Sequence, residues 1–226
     1  MAKSESALPP QAGGVRQSMT ERVYEALKRD ILTARRRPES LLLEHELATE
    51  YGVSKTPVRE ALRLLVHEEW VLVLPRKGYM VQPLRFEDVR EIFVMRQLIE
   101  PYLVVEAAKR ATPEELDHLD SLVDAQEAAT DSDAALDAAA AFHLGIAELA
   151  GNRRAARTLK GLVEESRRMY RLAPQLDRRL HEQAEFADHR ALVEAMRSQD
   201  TAQAHAVMER HLQESLRQKL EGLTSF

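Results

Sequence analysis

The stretch from residue 44 to residue 68 restricts the architecture more than any other, because two helical segments must meet there across a turn of four residues, Gly52-Val53-Ser54-Lys55. Glu44 to Tyr51 reads as a short helix, and Gly52 is the residue able to end it in a left-handed cap. Residues 55–68 read as the next helix, with Val58, Leu62 and Leu65 on one face and Arg59 and Arg63 off it. Pro57 fits there because the first turn of a helix has no backbone hydrogen bond to lose. Upstream, Ser18 and Glu21 form a capping-box pattern before Val23, Leu27 and Ile31, a third helix ending near Ala34. Downstream the period changes: Val71 to Leu74 and Tyr79 to Val81 are β-prone on either side of the turn Pro75-Arg-Lys-Gly78, which together predict a hairpin. Three helices and a hairpin in this order describe a winged helix-turn-helix over residues 18–83.

After Pro83 every segment has helical period. Helices are expected near 86–111, 113–129, 133–150, 153–172, 178–198 and 200–222, with a capping box at Thr112-Pro-Glu-Glu115, a stop and new cap at Gly151-Asn152, and a start at Asp200 with Gln203. The fold class is therefore mainly α: a winged domain over 18–83 and an all-helical bundle over 84–226, behind a tail (1–17) expected to be disordered. The 226 residues are 44% hydrophobic and 31% charged, which suits core-forming domains. The chain has no cysteine, so disulfides, thiolate metal sites and a cysteine nucleophile are excluded. No stretch approaches eighteen consecutive apolar residues and no signal peptide is legible, so the expected location is the cytoplasm without membrane contact. Charge is divided unevenly. Residues 1–85 carry a net of +3 and residues 86–226 a net of −8, a division that suits a nucleic-acid module joined to a different domain.

The run Leu43-Glu-His-Glu-Leu-Ala48, followed by Tyr51-Gly-Val-Ser-Lys-Thr-Pro-Val-Arg-Glu-Ala-Leu62 and the wing Pro75-Arg-Lys-Gly-Tyr-Met-Val81, closely resembles the GntR superfamily of bacterial transcription regulators. Lys55 stands where that family usually has arginine. A recognition helix enters the major groove by its N-terminal end, so Ser54, Lys55, Thr56 and Arg59 are the expected contacts to bases and phosphates. Arg59 has the fork that reads guanine O6 and N7, whereas Lys55 offers a point charge. Arg63 lies one turn further on as a phosphate contact or plain surface. Lys77 and Gly78 at the wing tip would approach the minor groove, and His45 takes a position where some relatives place a contacting arginine. The basic run Arg35–Arg37 reads as a solvated loop.

The remainder resembles the FadR-like branch and its FCD ligand-binding domain, through Arg96-Gln-Leu-Ile-Glu100, Phe142-His143 with Ala150-Gly-Asn152, Asp188-His-Arg-Ala-Leu192 and Met208-Glu-Arg-His-Leu212. Six expected helices place it nearer the VanR-like subgroup. The resemblance implies a divalent metal held by three histidines, here His143, His189 and His211, and one aspartate. That aspartate position is Ala139. Asp137 lies about 240° round the helix from His143 and should point elsewhere; Glu185, one turn before His189, is a candidate substitute. Imidazole donors suit Zn²⁺ or Ni²⁺, with open positions for water or an anionic effector. The other five histidines, His45, His67, His118, His181 and His205, are assigned to surface or structure. Arg96 either clamps an effector carboxylate or forms a structural ion pair on its own helix.

The expected function is a DNA-binding transcription regulator, a repressor in the family's usual manner, that binds an inverted-repeat operator as a homodimer and senses a small organic acid. Two alternatives stand beside it: a regulator whose helical half only dimerises, without metal or effector, and a three-histidine metalloenzyme. The latter lacks a general base at a fixed offset such as His-Glu-x-x-His.

Overall fold

In the computed structural model, which describes residues 17–83, 85–173 and 183–224, the chain divides into two compact units at residues 84 and 85. The first contains α1 (Met19–Leu32), β1 (Leu41–Leu42), α2 (Glu44–Tyr51), α3 (Lys55–His67), β2 (Val71–Leu74) and β3 (Gly78–Val81). Ser18 caps α1 in a full capping box with Glu21. Gly52 ends α2 in the left-handed region at φ 64°. Val23, Leu27 and Ile31 of α1, Leu47 of α2, and Val58, Leu62 and Leu65 of α3 meet Trp70, which precedes β2, and Val71 and Val81 of the sheet in one core.

The wing has one more strand than the sequence predicts. β3 pairs antiparallel with β2, Val71 facing Val81 and Leu74 facing Gly78, and also with β1, Leu41 facing Met80. The sheet order is β1-β3-β2. Two residues carry no readable alternation, so β1 leaves no sequence signal of its own. Gly78 sits at φ 101°, and a Cβ there would stand 2.9 Å from the Leu42 carbonyl oxygen. Its missing side chain is what lets β3 close on β1. The run Arg35–Arg37 is not merely a solvated loop: Arg36 pairs with Glu50 of α2 at 2.6 Å and lies near Asp30 of α1.

The second unit is a helical bundle of α4 (Phe86–Ala108), α5 (Pro113–Glu127), α6 (Ser132–Leu149), α7 (Arg153–Leu172), α8 (Gln183–Arg197) and α9 (Thr201–Thr224). The expected start of α8 at residue 178, like His181 and the N-terminal tail, lies outside the described residues. The Thr112 capping box opens α5, Asp131 caps α6 through the Ala134 amide, and Gly151 at φ 70° separates α6 from the Asn152 cap of α7. α4 packs most extensively against α9 and also touches α6, α7 and α8. Phe93, Leu103, Phe142, Ile146, Leu192 and Leu212 are fully or nearly fully buried within the bundle.

Candidate nucleic-acid interface and buried polar site

The exposed end of α3 carries the residues that sequence singled out. Ser54 is the cap of α3, yet its hydroxyl makes no capping hydrogen bond, which leaves it for an external acceptor. Lys55, Thr56, Arg59 and Arg63 are all exposed, as are His45 on α2 and Lys77 in the wing turn. Gly78 is half-buried, and its lack of a side chain has a reason within the fold.

Arg59 is not a loose charge. Its Nε donates to Glu44 Oε1 at 2.9 Å and its Nη2 to Glu44 Oε2 at 2.8 Å, a bidentate pair between α3 and α2. The Tyr79 hydroxyl of β3 stands 3.5 Å from the same carboxylate. The hydrogen bond and charge of Arg59 hold the Glu44 carboxyl below its ordinary range. A guanidinium has two donating edges. Glu44 occupies the Nε–Nη2 edge, and the Nη1–Nη2 edge is the one that matches guanine O6 and N7. The pair therefore orients the side chain and leaves its Nη1–Nη2 edge outside this contact. Sequence reasoning named Arg59 but gave Glu44 no role; fifteen residues of separation across a turn hide the pair.

In the second unit the three histidines converge. His143 comes from α6, His189 from α8 and His211 from α9; all are buried, and their potential ligand atoms lie within 4.8 Å of one another. Two of the rings are fixed by neighbours. His143 Nδ1 donates to Glu100 Oε2 at 2.6 Å, and His189 Nδ1 to Gln126 Oε1 at 3.0 Å. Each bond turns the opposite nitrogen, Nε2, into the acceptor side of a neutral imidazole, as outer carboxylate and amide partners do around metal-bound histidine. His143 is held below its ordinary pKa mainly by burial, which favours the neutral ligand form. His211 Nδ1 is buried and makes no hydrogen bond; Asp188 and Glu185 approach it at 3.5 Å and 4.0 Å. A buried nitrogen in that condition is costly on its own and would be satisfied by a cation. By donor type and arrangement the residues fit a borderline transition-metal ion.

Arg96 forms the ion pair on its own helix: its Nε donates to Glu100 Oε1 at 2.5 Å, four residues along α4, and its side chain lines the cavity beside the histidines. Burial alone would raise the Glu100 carboxyl, but the Arg96 charge and the His143 bond outweigh it and hold Glu100 well below the carboxylate range. Arg96, Glu100 and His143 thus form one chain across α4 and α6. The i,i+4 spacing of Arg96 and Glu100 was readable in sequence; Gln126 gave no signal. Asp137 does turn away, onto Arg167 and Arg171 of α7. Ala139 lines the cavity, together with Glu185 and Lys219. The Lys219 ammonium lies between the faces of Phe93 and Tyr170, 4.9 Å and 5.0 Å from the ring centres. The cavity measures about 40 Å³.

Comparison with known proteins bears on both units. Residues 19–81 match the family described as bacterial regulatory proteins, gntR family, and residues 91–214 match the FCD domain. The HTH-type transcriptional repressor GlaR of Escherichia coli K12 is 31% identical over 204 residues, covering 84% of this chain and 90% of that protein. The gluconate operon transcriptional repressor of Bacillus licheniformis is 34% identical over 116 residues, covering 51% of this chain and 47% of its own length. Among solved structures, E. coli McbR/YncC superposes with a TM-score of 0.77 at 21% identity over 92% of this chain and all of that one, which is a likeness of fold.

Proposed function

The chain belongs to the GntR family of bacterial regulatory proteins, with an FCD domain in the FadR-like manner, and on that premise we propose that it is a homodimeric repressor whose operator binding is set by a small carboxylate sensed in the second unit. DNA-binding transcription regulation follows from the family itself, whose members here are regulators and not enzymes. No described helix is long and apolar enough to cross a membrane; the working place we assign, with the DNA, is the cytoplasm. Repression accords with the names of the relatives GlaR and the gluconate operon repressor.

One observation favours sensing over a bundle that merely dimerises. The middle of the second unit buries Arg96, Glu100, His143, Glu185, His189, His211 and Lys219. Charged and polar groups at a bundle centre cost free energy that apolar residues of the same volume would avoid. A purely structural domain has no use for them; a ligand site does. His143, His189 and His211 would hold a Zn²⁺ or Ni²⁺ ion, which when bound supplies a positive centre for an acidic ligand. The chain's own part is to present neutral imidazoles, through Glu100 and Gln126, and to set Arg96 and Lys219 on the cavity wall. The gluconate operon repressor is named for a sugar acid, which agrees with an acidic ligand class.

At the first unit, Ser54, Lys55, Thr56 and Arg59 would meet bases and phosphates, Arg63 and His45 the flanking backbone, and Lys77 beside Gly78 the minor groove. Ligand binding would act as a coupling free energy, altering the placement of two recognition helices over an inverted repeat. The test uses purified protein and a DNA fragment selected from a random library for binding. A panel of carboxylic acids, with and without Zn²⁺, is scored for thermal stabilisation and for release of that fragment. At least one acid should do both. Absence of any shift in stability and in DNA affinity across the panel sinks the sensing function and leaves the dimerisation-only alternative.

A further inference from the structure

The metal reading leaves a gap at Ala139, whose methyl group lines the cavity where the family's ligand set has a carboxylate. Two carboxylates lie near enough to matter. Asp188 approaches His211 Nδ1 at 3.5 Å but is held by Arg210 at 3.2 Å, and it does not line the cavity. Glu185 does line it. Its Oε1 stands 3.8 Å from His189 Nε2 and its Oε2 4.0 Å from His211 Nδ1, with the side chain almost wholly buried. Ligand atoms around one ion with bonds of about 2.0–2.2 Å lie roughly 3–3.5 Å apart. Each of the two Glu185 oxygens is therefore a few tenths of an ångström beyond that spacing from a different ring, and a glutamate has three side-chain torsions with which to bring one of them in.

We propose that Glu185 is the carboxylate ligand of this site, supplied from α8 in place of the one that position 139 on α6 does not provide. The inference rests on the three-histidine metal reading above. Two observations beyond distance support it. Glu185 and His189 are one helical turn apart on the same face of α8, so a single helix presents both donors to the cavity. Glu185 also lines the same cavity as His143 and His211. The site then carries three neutral donors and one negative one.

The experiment compares wild-type protein with Glu185→Gln, which keeps the shape of the side chain, and checks folding by circular dichroism and thermal midpoint. Zn²⁺ affinity is read by competition with a chromophoric chelator, and coordination by the visible absorption of the Co²⁺-loaded protein. Glu185→Gln should weaken Zn²⁺ by at least about tenfold and shift the Co²⁺ bands. Adding Ala139→Asp to that variant should restore most of the affinity, because it returns a carboxylate from the other wall. Unchanged affinity and bands in Glu185→Gln, while His189→Ala abolishes uptake, would overturn the role of Glu185 and leave a three-histidine site. Weaker binding with unmoved Co²⁺ bands would place Glu185 outside the coordination sphere and equally overturn it. If wild-type protein takes up neither Zn²⁺ nor Co²⁺, the metal reading itself fails, and this one with it.

Discussion

Glu44 holds the Arg59 guanidinium in place, which would suit the base contact proposed for it. Freezing a long side chain on binding costs about 0.5–1.5 kcal/mol, and the bidentate pair, at 2.9 and 2.8 Å, meets part of that cost before DNA arrives. Two substitutions separate reading from orientation. Arg59→Ala should weaken specific binding by on the order of 1–3 kcal/mol, the range for one bidentate base contact. Glu44→Ala removes a negative charge from a DNA-facing surface, so simple electrostatics predicts tighter binding. Loss of orientation predicts weaker specific binding with non-specific binding unchanged or stronger. We expect the second pattern, measured by fluorescence anisotropy on selected and scrambled duplexes. Equal tightening on both duplexes would show that Glu44 only repels phosphate. Arg59 was legible in sequence because its type and helical position suffice to nominate it. Glu44 and Gln126 were not, because their roles depend on which helix lies across from them, and periodicity carries no such information.

Element boundaries were legible wherever a cap or stop residue declares them. Ser18, Gly52, Thr112 and Gly151 mark the ends of helices at the positions where the structure has them. What escaped is pairing at a distance: β1, which exists only because Gly78 admits it, and the tie between α1 and α3. In that tie the Tyr24 hydroxyl and Lys28 Nζ both donate to Glu68, at 2.7 and 2.9 Å. Burial pushes the Glu68 carboxyl up, but the bonds from Lys28 and Tyr24 outweigh it and leave it below its ordinary value of 4.5. A carboxyl lowered by folding stabilises the fold above its unfolded pKa, and that contribution is lost as pH falls through the folded value. Glu68 is partly exposed, so the contribution is small, below about 1 kcal/mol. Glu68→Gln should therefore be slightly less stable than wild type in urea at neutral pH, and the gap should close as pH falls below about 4.5. A gap that widens on acidification would contradict the assignment. Gly78→Ala is the harsher change, since it combines a positive φ with a backbone clash. It should cost about 1–3 kcal/mol and loosen the wing.

At the scale of the whole molecule the open question is what covers α4. Its inner side buries Phe93, Leu103 and Val104, yet Val94, Met95, Leu98 and Tyr102 are exposed on the outside, Leu98 by 69%. Val94, Leu98 and Tyr102 follow at intervals of four, one stripe along a helix. A helix apolar on both sides belongs inside something larger. A second copy of the same stripe across a two-fold axis is the simplest cover, because an isologous contact lets one patch serve both partners. DNA binding gives the contact a purpose. Tethering two winged units raises affinity for a two-site operator by roughly 10²–10⁴-fold over one unit, with no new contact to DNA. Leu98→Asp would place a charge in the middle of the stripe and off the buried face of α4. It should give a monomer by light scattering at micromolar concentration, with an unchanged circular dichroism spectrum and operator affinity reduced by about 100-fold or more. Leu98→Ala, which removes area but adds no charge, should lie between the two. A Leu98→Asp protein that remains dimeric and binds the full operator as tightly as wild type would move the interface away from α4, and the exposed stripe would then require another partner.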